Sequence, residues 1–391
     1  MTGGGSVPAK LSDSDRQKVD ELRAAVKEYL TPYYDTDFNL LRWLVGHDYN
    51  IDLLKPKLIN HLQLRKFEDW NLDGIASTPR NHVIHNYWKS GLTGEAGKTP
   101  NTFVNVEQTG ANDYWGLLAA HSTTDLLKAR VHDLESMLAA RSSILYIMDL
   151  SGLKFDRNIT TLVSGALASI SAFMSDHYVE LIHSFVLVNV PTFIHTIWEY
   201  IHSFVLVNAP TFWTLARPLL PERTRNKVKI LGSKWQTEIL ELADASVLPS
   251  YWNAEGSSVF TAHIERGVPV PQELYYKGSM PADSQTLSVK AGKIGTMDLE
   301  LKEGQSVHYL LHGDGQFAFA IYYSDDATTR DSEGVGKWAR CYPLFAKIPG
   351  PTTVPLKDSI KIPKSGTYRL WFSNEHAWLH TLKITHQLRI D

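Results

Sequence analysis

The sequence predicts an α/β lobe preceded by a helical N-terminal segment and followed by an all-β sandwich. Three patterns carry that expectation. Apolar residues recur at three- and four-residue steps through 37–67, strand-like and helical runs alternate from about residue 100, and apolar and polar residues alternate strictly beyond 283. A chain of 391 residues is long for a single core, which favours two folding units. The expected divisions are a tail at 1–11, a helical segment at 12–75, the α/β lobe at 76–252, a linker at 253–283 and the sandwich at 284–391.

Each element has its own signal. Ser14 followed by Gln17 is a capping-box pattern that opens a helix through about Leu30. Leu40, Leu41, Leu44 and Val45 form one helical stripe, and Leu54, Leu58, Leu62 and Leu64 form the next. Thr102–Glu107 and Ile144–Met148 read as strands, with a helix at Thr123–Ala140 between them. A further helix covers Thr160–Met174, and Lys227–Leu231 is a last strand, so the sheet contains parallel pairings. Segment 253–283 is rich in Gly, Ser and Pro and reads as a linker or wrapping loop. In the last part, Phe317, Phe319 and Ile321, then Tyr368, Leu370 and Phe372, then Leu382, Ile384, Leu388 and Ile390 each fall on one face. One-sided burial of that kind marks antiparallel sheets packed face to face.

Composition excludes several function classes. The formal charge of −3 gives no global attraction to nucleic acid, and no nucleic-acid partner is expected. One cysteine, Cys341, rules out an internal disulfide and fits a reducing compartment. The N-terminus lacks the apolar run of a secretory signal, and apolar stretches are interrupted before membrane-spanning length. A cytoplasmic protein is the expectation. No phosphate-binding or dinucleotide glycine motif occurs, no nucleophile elbow follows a strand, and the 16 histidines show no metal-ligand spacing. The expectation is therefore no enzyme, no cofactor and no metal.

The informative stretch is 213–231. Phe212, Trp213, Leu215, Leu219 and Leu220 make an apolar helical surface, interrupted by Pro218 and ended by Pro221. Arg223, Arg225, Lys227 and Lys229 follow, four positive charges within seven residues. Such a pair suits contact with an acyl chain and then a phosphate, or with a membrane surface; a core helix followed by a solvated turn fits the pattern as well.

LLPERTRNKVKIL, ILYIMDLSGLKFDRN (144–158) and DFNLLRWLVGHDYNI (37–51) together resemble the CRAL-TRIO lipid-transfer family, with HNYWKSGLTG and VNVEQTG in the same pattern. SGTYRLWFSNEHAWLHTLKITHQLRI (365–390) resembles a GOLD β-sandwich. The resemblance implies a lobe whose sheet floors an apolar pocket holding one lipid, a phospholipid such as phosphatidylinositol or phosphatidylcholine or an isoprenoid-like lipid. It also implies a gate helix over that pocket, matched by Phe212, Trp213, Leu215, Leu219 and Leu220, and transient membrane contact. For the headgroup it implies Glu180, Thr224 and Lys227, with Glu199, Arg223 and Arg225 as further candidates. His47 stands where phosphoinositide-binding members carry an arginine. Peripheral association with membranes, Golgi membranes among them, is part of that expectation. The alternative is a trafficking adaptor acting through protein contacts of the sandwich.

One feature of the chain is unusual. Ile182 to Phe193 and Ile201 to Phe212 are identical except for Val190 against Ala209. Each copy contains a strand pattern, and only one place in the sheet is expected for it. Because the second copy runs directly into the gate segment, it is the copy expected in the sheet.

Overall fold

The computed structural model describes residues 11–66, 70–80, 82–153, 168–191, 227–324 and 338–391. Helix α1 (Asp13–Val26) has its cap two residues before the expected Ser14 and ends four residues short of Leu30. Ser12 is the cap, its Oγ accepting from Asp15 N at 3.0 Å while the Asp15 carboxylate accepts from Ser12 N at 3.3 Å. Aspartate does here what the sequence pattern assigned to a glutamine. Helices α2 (Asp37–Gly46) and α3 (Ile51–Arg65) follow, capped by Thr36 and Asn50. Leu40, Leu41, Leu44, Leu54, Leu58 and Leu62 are all fully buried, as the two stripes predict. Two short helices, α4 (Leu72–Ile75) and α5 (His82–His85), lead to the sheet.

The first sheet has the order β1 (Ser90–Glu95), β2 (Thr102–Glu107), β3 (Ser143–Asp149), β4 (Ile182–Val188), β5 (Val228–Ile230). Strands β1 and β2 are antiparallel and the remaining pairs are parallel. Helices α6 (Tyr114–Ala120) and α7 (Thr123–Ala139) connect β2 to β3, and α8 (Ala168–His177) precedes β4. The short helix α9 (Trp235–Glu238) follows β5. Strands therefore begin near residue 90 rather than near 100.

The position of the duplicated strand corrects the sequence reading. Copy one is β4, with Tyr146 opposite Phe185 on one side and Val228 opposite Phe185 on the other. Both neighbouring places are thus filled. Copy two lies outside the described residues, as do residues 160–167 of the predicted helix and the whole gate segment.

Segment 253–283 wraps the first lobe. Phe260 and Val270 are buried, and the backbone of Gly267, Val270 and Tyr276 bonds to Gln108, Asp113 and Ala119. The C-terminal part is a two-sheet sandwich. One sheet has the order β10 (Ala339–Arg340), β9 (Phe317–Ser324), β13 (Gly366–Ser373), β7 (Ile294–Leu301), with β11 (Phe345–Ile348) also on β9. The other is β12 (Leu356–Lys361), β8 (Ser306–Gly313), β14 (Leu382–Ile390), β6 (Gln285–Val289). Tyr309 meets Phe319 edge-on across the interior at 5.3 Å.

The sandwich packs on the first lobe. Lys128 of α7 bonds Asp358 of β12 at 2.5 Å, and Tyr342 donates to the other Asp358 oxygen at 2.6 Å. Trp70 meets Tyr342 at 6.1 Å. Beside this seam α3 and α8 join through His61 and His177, whose Nδ1 atoms are 3.1 Å apart, so one ring donates to the other. Burial, with Arg340 and Arg65 nearby, holds His177 down to about 3, and burial also holds His61 well below 6.5. In the unfolded chain both rings take up protons below about 6.5. Their contribution to stability is therefore present above that pH and is lost as pH falls toward about 3. The expected slope is up to about 1.4 kcal/mol per pH unit for each ring. Urea midpoints compared at roughly pH 7 and pH 5 should show it, and His177→Asn should flatten the dependence.

Candidate functional site

Alternation along β2, β3 and β4 gives the first sheet two distinct faces. On one, Val104, Val106, Leu145, Ile147, Val186 and Val188 are buried against Ile239, Leu248, Trp252 and Phe260. Asp149 lies at its end, accepting from Trp252 Nε1 and Asn189 Nδ2, both at 2.9 Å. That face is a closed core.

The opposite face is divided. Under α7 it is polar: Glu107 accepts from Trp88 Nε1 at 3.0 Å, from the Tyr114 hydroxyl at 2.9 Å and from the Tyr146 hydroxyl. Arg130 of α7 donates to the Tyr146 hydroxyl and lies 5.8 Å above the Trp88 ring. Burial pushes the Tyr146 phenol up, so it stays protonated and keeps donating. These groups satisfy one another and form a stiff wall. Sequence reading passed over all of them; the signals were a glutamate ending an apolar strand and an arginine inside an apolar helix.

Under β4 and β5 the same face becomes apolar. Met148, Phe185, Leu187, Val228 and Ile230 share it and are half-buried, whereas their neighbours on the closed face of β3 and β4 are fully buried. At the N-terminal end of this strip Lys227 Nζ bonds Glu180 Oε2 at 2.6 Å and the Ile182 carbonyl at 2.8 Å. Both side chains are buried, 7% and 6% exposed, so the pair is an internal ion pair. Helix α2 reaches the same spot. A Cβ at Gly46 would overlap Val179 Cγ1, so only glycine lets the helix end come this close to the turn carrying Glu180. His47 follows, its ring stacked on Trp43 at 5.7 Å and its Nδ1 3.0 Å from the Trp43 carbonyl. Arg42 donates to the Val179 carbonyl from within the core.

Of the expected site residues, the structure thus brings together Glu180, Lys227 and the place of His47. Glu199, Arg223, Thr224, Arg225 and the gate residues Phe212, Trp213, Leu215, Leu219 and Leu220 lie outside the described residues. Two cavities lined by described residues, about 60 Å³ beside Tyr33 and about 10 Å³ beside His177, are away from this strip. Among the described residues no group of His, Cys, Asp and Glu could hold a metal ion, and no helix is long and apolar enough to cross a membrane. Burial pushes the Cys341 thiol up, away from reactivity.

The first sheet thus has one closed face and, on the other, a half-buried apolar strip beside a polar wall. Residues 106–208 match the CRAL/TRIO domain. Residues 277–391 match an F28H7_8_C-like C-terminal domain, and 11–75 match a domain of unknown function, DUF8435. Along 402 residues the chain is 24% identical to the CRAL-TRIO domain-containing protein F28H7.8 of Caenorhabditis elegans, covering 95% of this chain and 89% of that one. It is 23% identical to the phosphatidylinositol/phosphatidylcholine transfer protein SFH4 of Arabidopsis thaliana, over 62% of this chain and 40% of that protein. The similar Arabidopsis protein SFH11 matches at 23% identity over 54% of this chain and 50% of its own length. The chain therefore spans half or less of these two transfer proteins. Among solved structures Sfh5 aligns with 67% of this chain and 95% of its own, at 18% identity and a TM-score of 0.47.

Proposed function

We propose that the chain binds one phospholipid on the apolar half of the first sheet and exchanges it at membranes. The observation that carries this reading is the half-buried strip Met148–Phe185–Leu187–Val228–Ile230, which ends at the buried Glu180–Lys227 pair. All five members stand on adjacent, hydrogen-bonded strands, so the strip is continuous. Sheltering hydrocarbon there yields about 0.8 kcal/mol per methylene, and one charged end suits one polar headgroup. A ligand held this firmly leaves into water too slowly to be useful, so exchange requires a gate that opens at a membrane. Phe212, Trp213, Leu215, Leu219 and Leu220 are assigned to that gate, and Arg223, Thr224 and Arg225 to the headgroup beside Lys227. Glu199 precedes copy two as Glu180 precedes β4, and it is assigned no separate role. The C-terminal unit, in this reading a GOLD-like sandwich, serves to dock.

His47 in place of a permanent cation argues for a headgroup of low charge rather than a polyphosphorylated one. Transfer between vesicles tests the assignment. The wild-type chain should move phosphatidylcholine and phosphatidylinositol. Lys227→Met, which keeps the stem's bulk, should slow phosphatidylinositol transfer roughly tenfold or more and leave phosphatidylcholine within about threefold. Equal slowing of both lipids would assign Lys227 to folding, and no transfer of either would remove the carrier reading.

A further inference from the structure

The end of the sandwich formed by the β6–β7, β8–β9 and β13–β14 turns carries two residues that no packing argument explains. Trp378 and Leu379 are 93% and 94% exposed, whereas the next most exposed large apolar side chain among the described residues, Val83, reaches 53%. They are held out by a fixed loop. Asn374 is 1% exposed and donates from Nδ2 to the carbonyls of Val289 and His380, at 3.0 and 2.8 Å. Its backbone N–H donates to Lys293 O, and its carbonyl accepts from Gly292 N and Ala377 N. One buried side chain thus braces the loop that carries the protruding pair and ties it to the neighbouring β6–β7 turn.

The surrounding charge is mixed, with an excess of cations. Lys290, Lys293 and Lys383 are exposed around the loop. Against them stand Asp314, which accepts from His380 Nε2 at 3.0 Å and from Lys383 N at 2.8 Å, and Glu375, which accepts from Ser373 Oγ at 2.8 Å. The seam with the first lobe runs through β12, Tyr342 and Trp70, and none of these loop residues takes part in it.

We propose that the β13–β14 loop is a membrane anchor, inserting Trp378 and Leu379 into the interface of a bilayer containing anionic lipid. A protruding pair is too small to form the core of a protein interface, which takes roughly 800 Å² from each partner. It is sufficient for a bilayer, whose interface accepts a tryptophan ring with its polar edge toward water and a leucine below it. Exposed lysines add attraction to an anionic surface. The fixed backbone means that little ordering is required on insertion. This anchor does not depend on lipid binding by the first lobe, since an adaptor with an unused pocket would keep it.

Sedimentation of the full chain with phosphatidylcholine–phosphatidylserine vesicles and with pure phosphatidylcholine vesicles tests the proposal. Trp378→Ala with Leu379→Ala should weaken binding to both roughly tenfold or more. Lys290→Ala with Lys293→Ala should weaken binding to the anionic vesicles by about tenfold and barely change binding to the neutral ones. Both variants should melt with the wild type, because the altered side chains are exposed. Wild-type-like binding by the Trp378/Leu379 variant would overturn the proposal. So would failure of the wild type to bind either vesicle, which would point to a protein partner. Transfer activity measured in parallel separates this outcome from failure of the carrier reading.

Discussion

Replacing Glu135 with alanine is expected to lower the stability of the chain by about 3–5 kcal/mol. Glu135 and Arg65 both have fully buried side chains. Two parallel bonds of 2.8 and 3.0 Å join them, Tyr178 donates to the same carboxylate at 2.8 Å, and Arg65 Nε reaches Asp73 at 2.7 Å. The guanidinium also lies 4.5 Å over the Tyr34 ring. Removing the carboxylate strands most of a buried positive charge, and a favourable pair becomes a desolvation penalty. The double variant Arg65→Met with Glu135→Leu should regain most of the loss, because it removes both charges and keeps the volume. Urea unfolding of the wild type, the single variant and the double variant measures this. A loss below about 1 kcal/mol in the single variant would contradict it. The consequence reaches the site, since Tyr178 stands two residues before Glu180 and holds the turn that presents it.

The second large effect separates the two copies of the repeated strand. Val186 is fully buried on the closed face of β4, in register with Ile147 of β3 and Lys229 of β5. Val186→Asp would place a carboxylate in a dry apolar layer. It should lower stability by roughly 4 kcal/mol or more, enough to unfold the first lobe of a marginally stable chain. Deleting 190–208, nineteen residues, should by contrast leave the melting temperature unchanged or raised. Every described strand of the first sheet lies outside that interval, and Asn189 would be joined to Ala209 with the remaining sequence intact. One substitution in copy one is thus expected to outweigh the loss of the whole insertion. A deletion variant that unfolds while Val186→Asp survives would assign the sheet position to copy two.

What the sequence disclosed follows from how local each signal is. The stripes of α2 and α3, the apolar runs of β2 and β3 and the alternation of β9 and β13 were legible because burial is one-sided and periodic. Strand β1, SGLTGE, was not, since its two glycines and terminal glutamate disfavour a strand and its place depends on pairing with β2. The choice between copies was invisible because the two strands are the same in sequence; pairing on both sides with β3 and β5 decides it. Glu180 and Lys227 were visible as a resemblance, but their burial was not, because it arises from Gly46 letting α2 approach from a distant part of the chain. Trp378 and Leu379 fall outside every periodic pattern, so their exposure was not legible; the loop geometry that Asn374 fixes turns them outward.

The central claim is that the apolar half of the first sheet shelters one lipid. Native mass spectrometry of the full chain purified without detergent tests it most directly. The account predicts a single adduct of phospholipid mass that exchanges when the protein is incubated with vesicles of a different phospholipid. Protein recovered at its bare mass, taking up no lipid after such incubation, would contradict it.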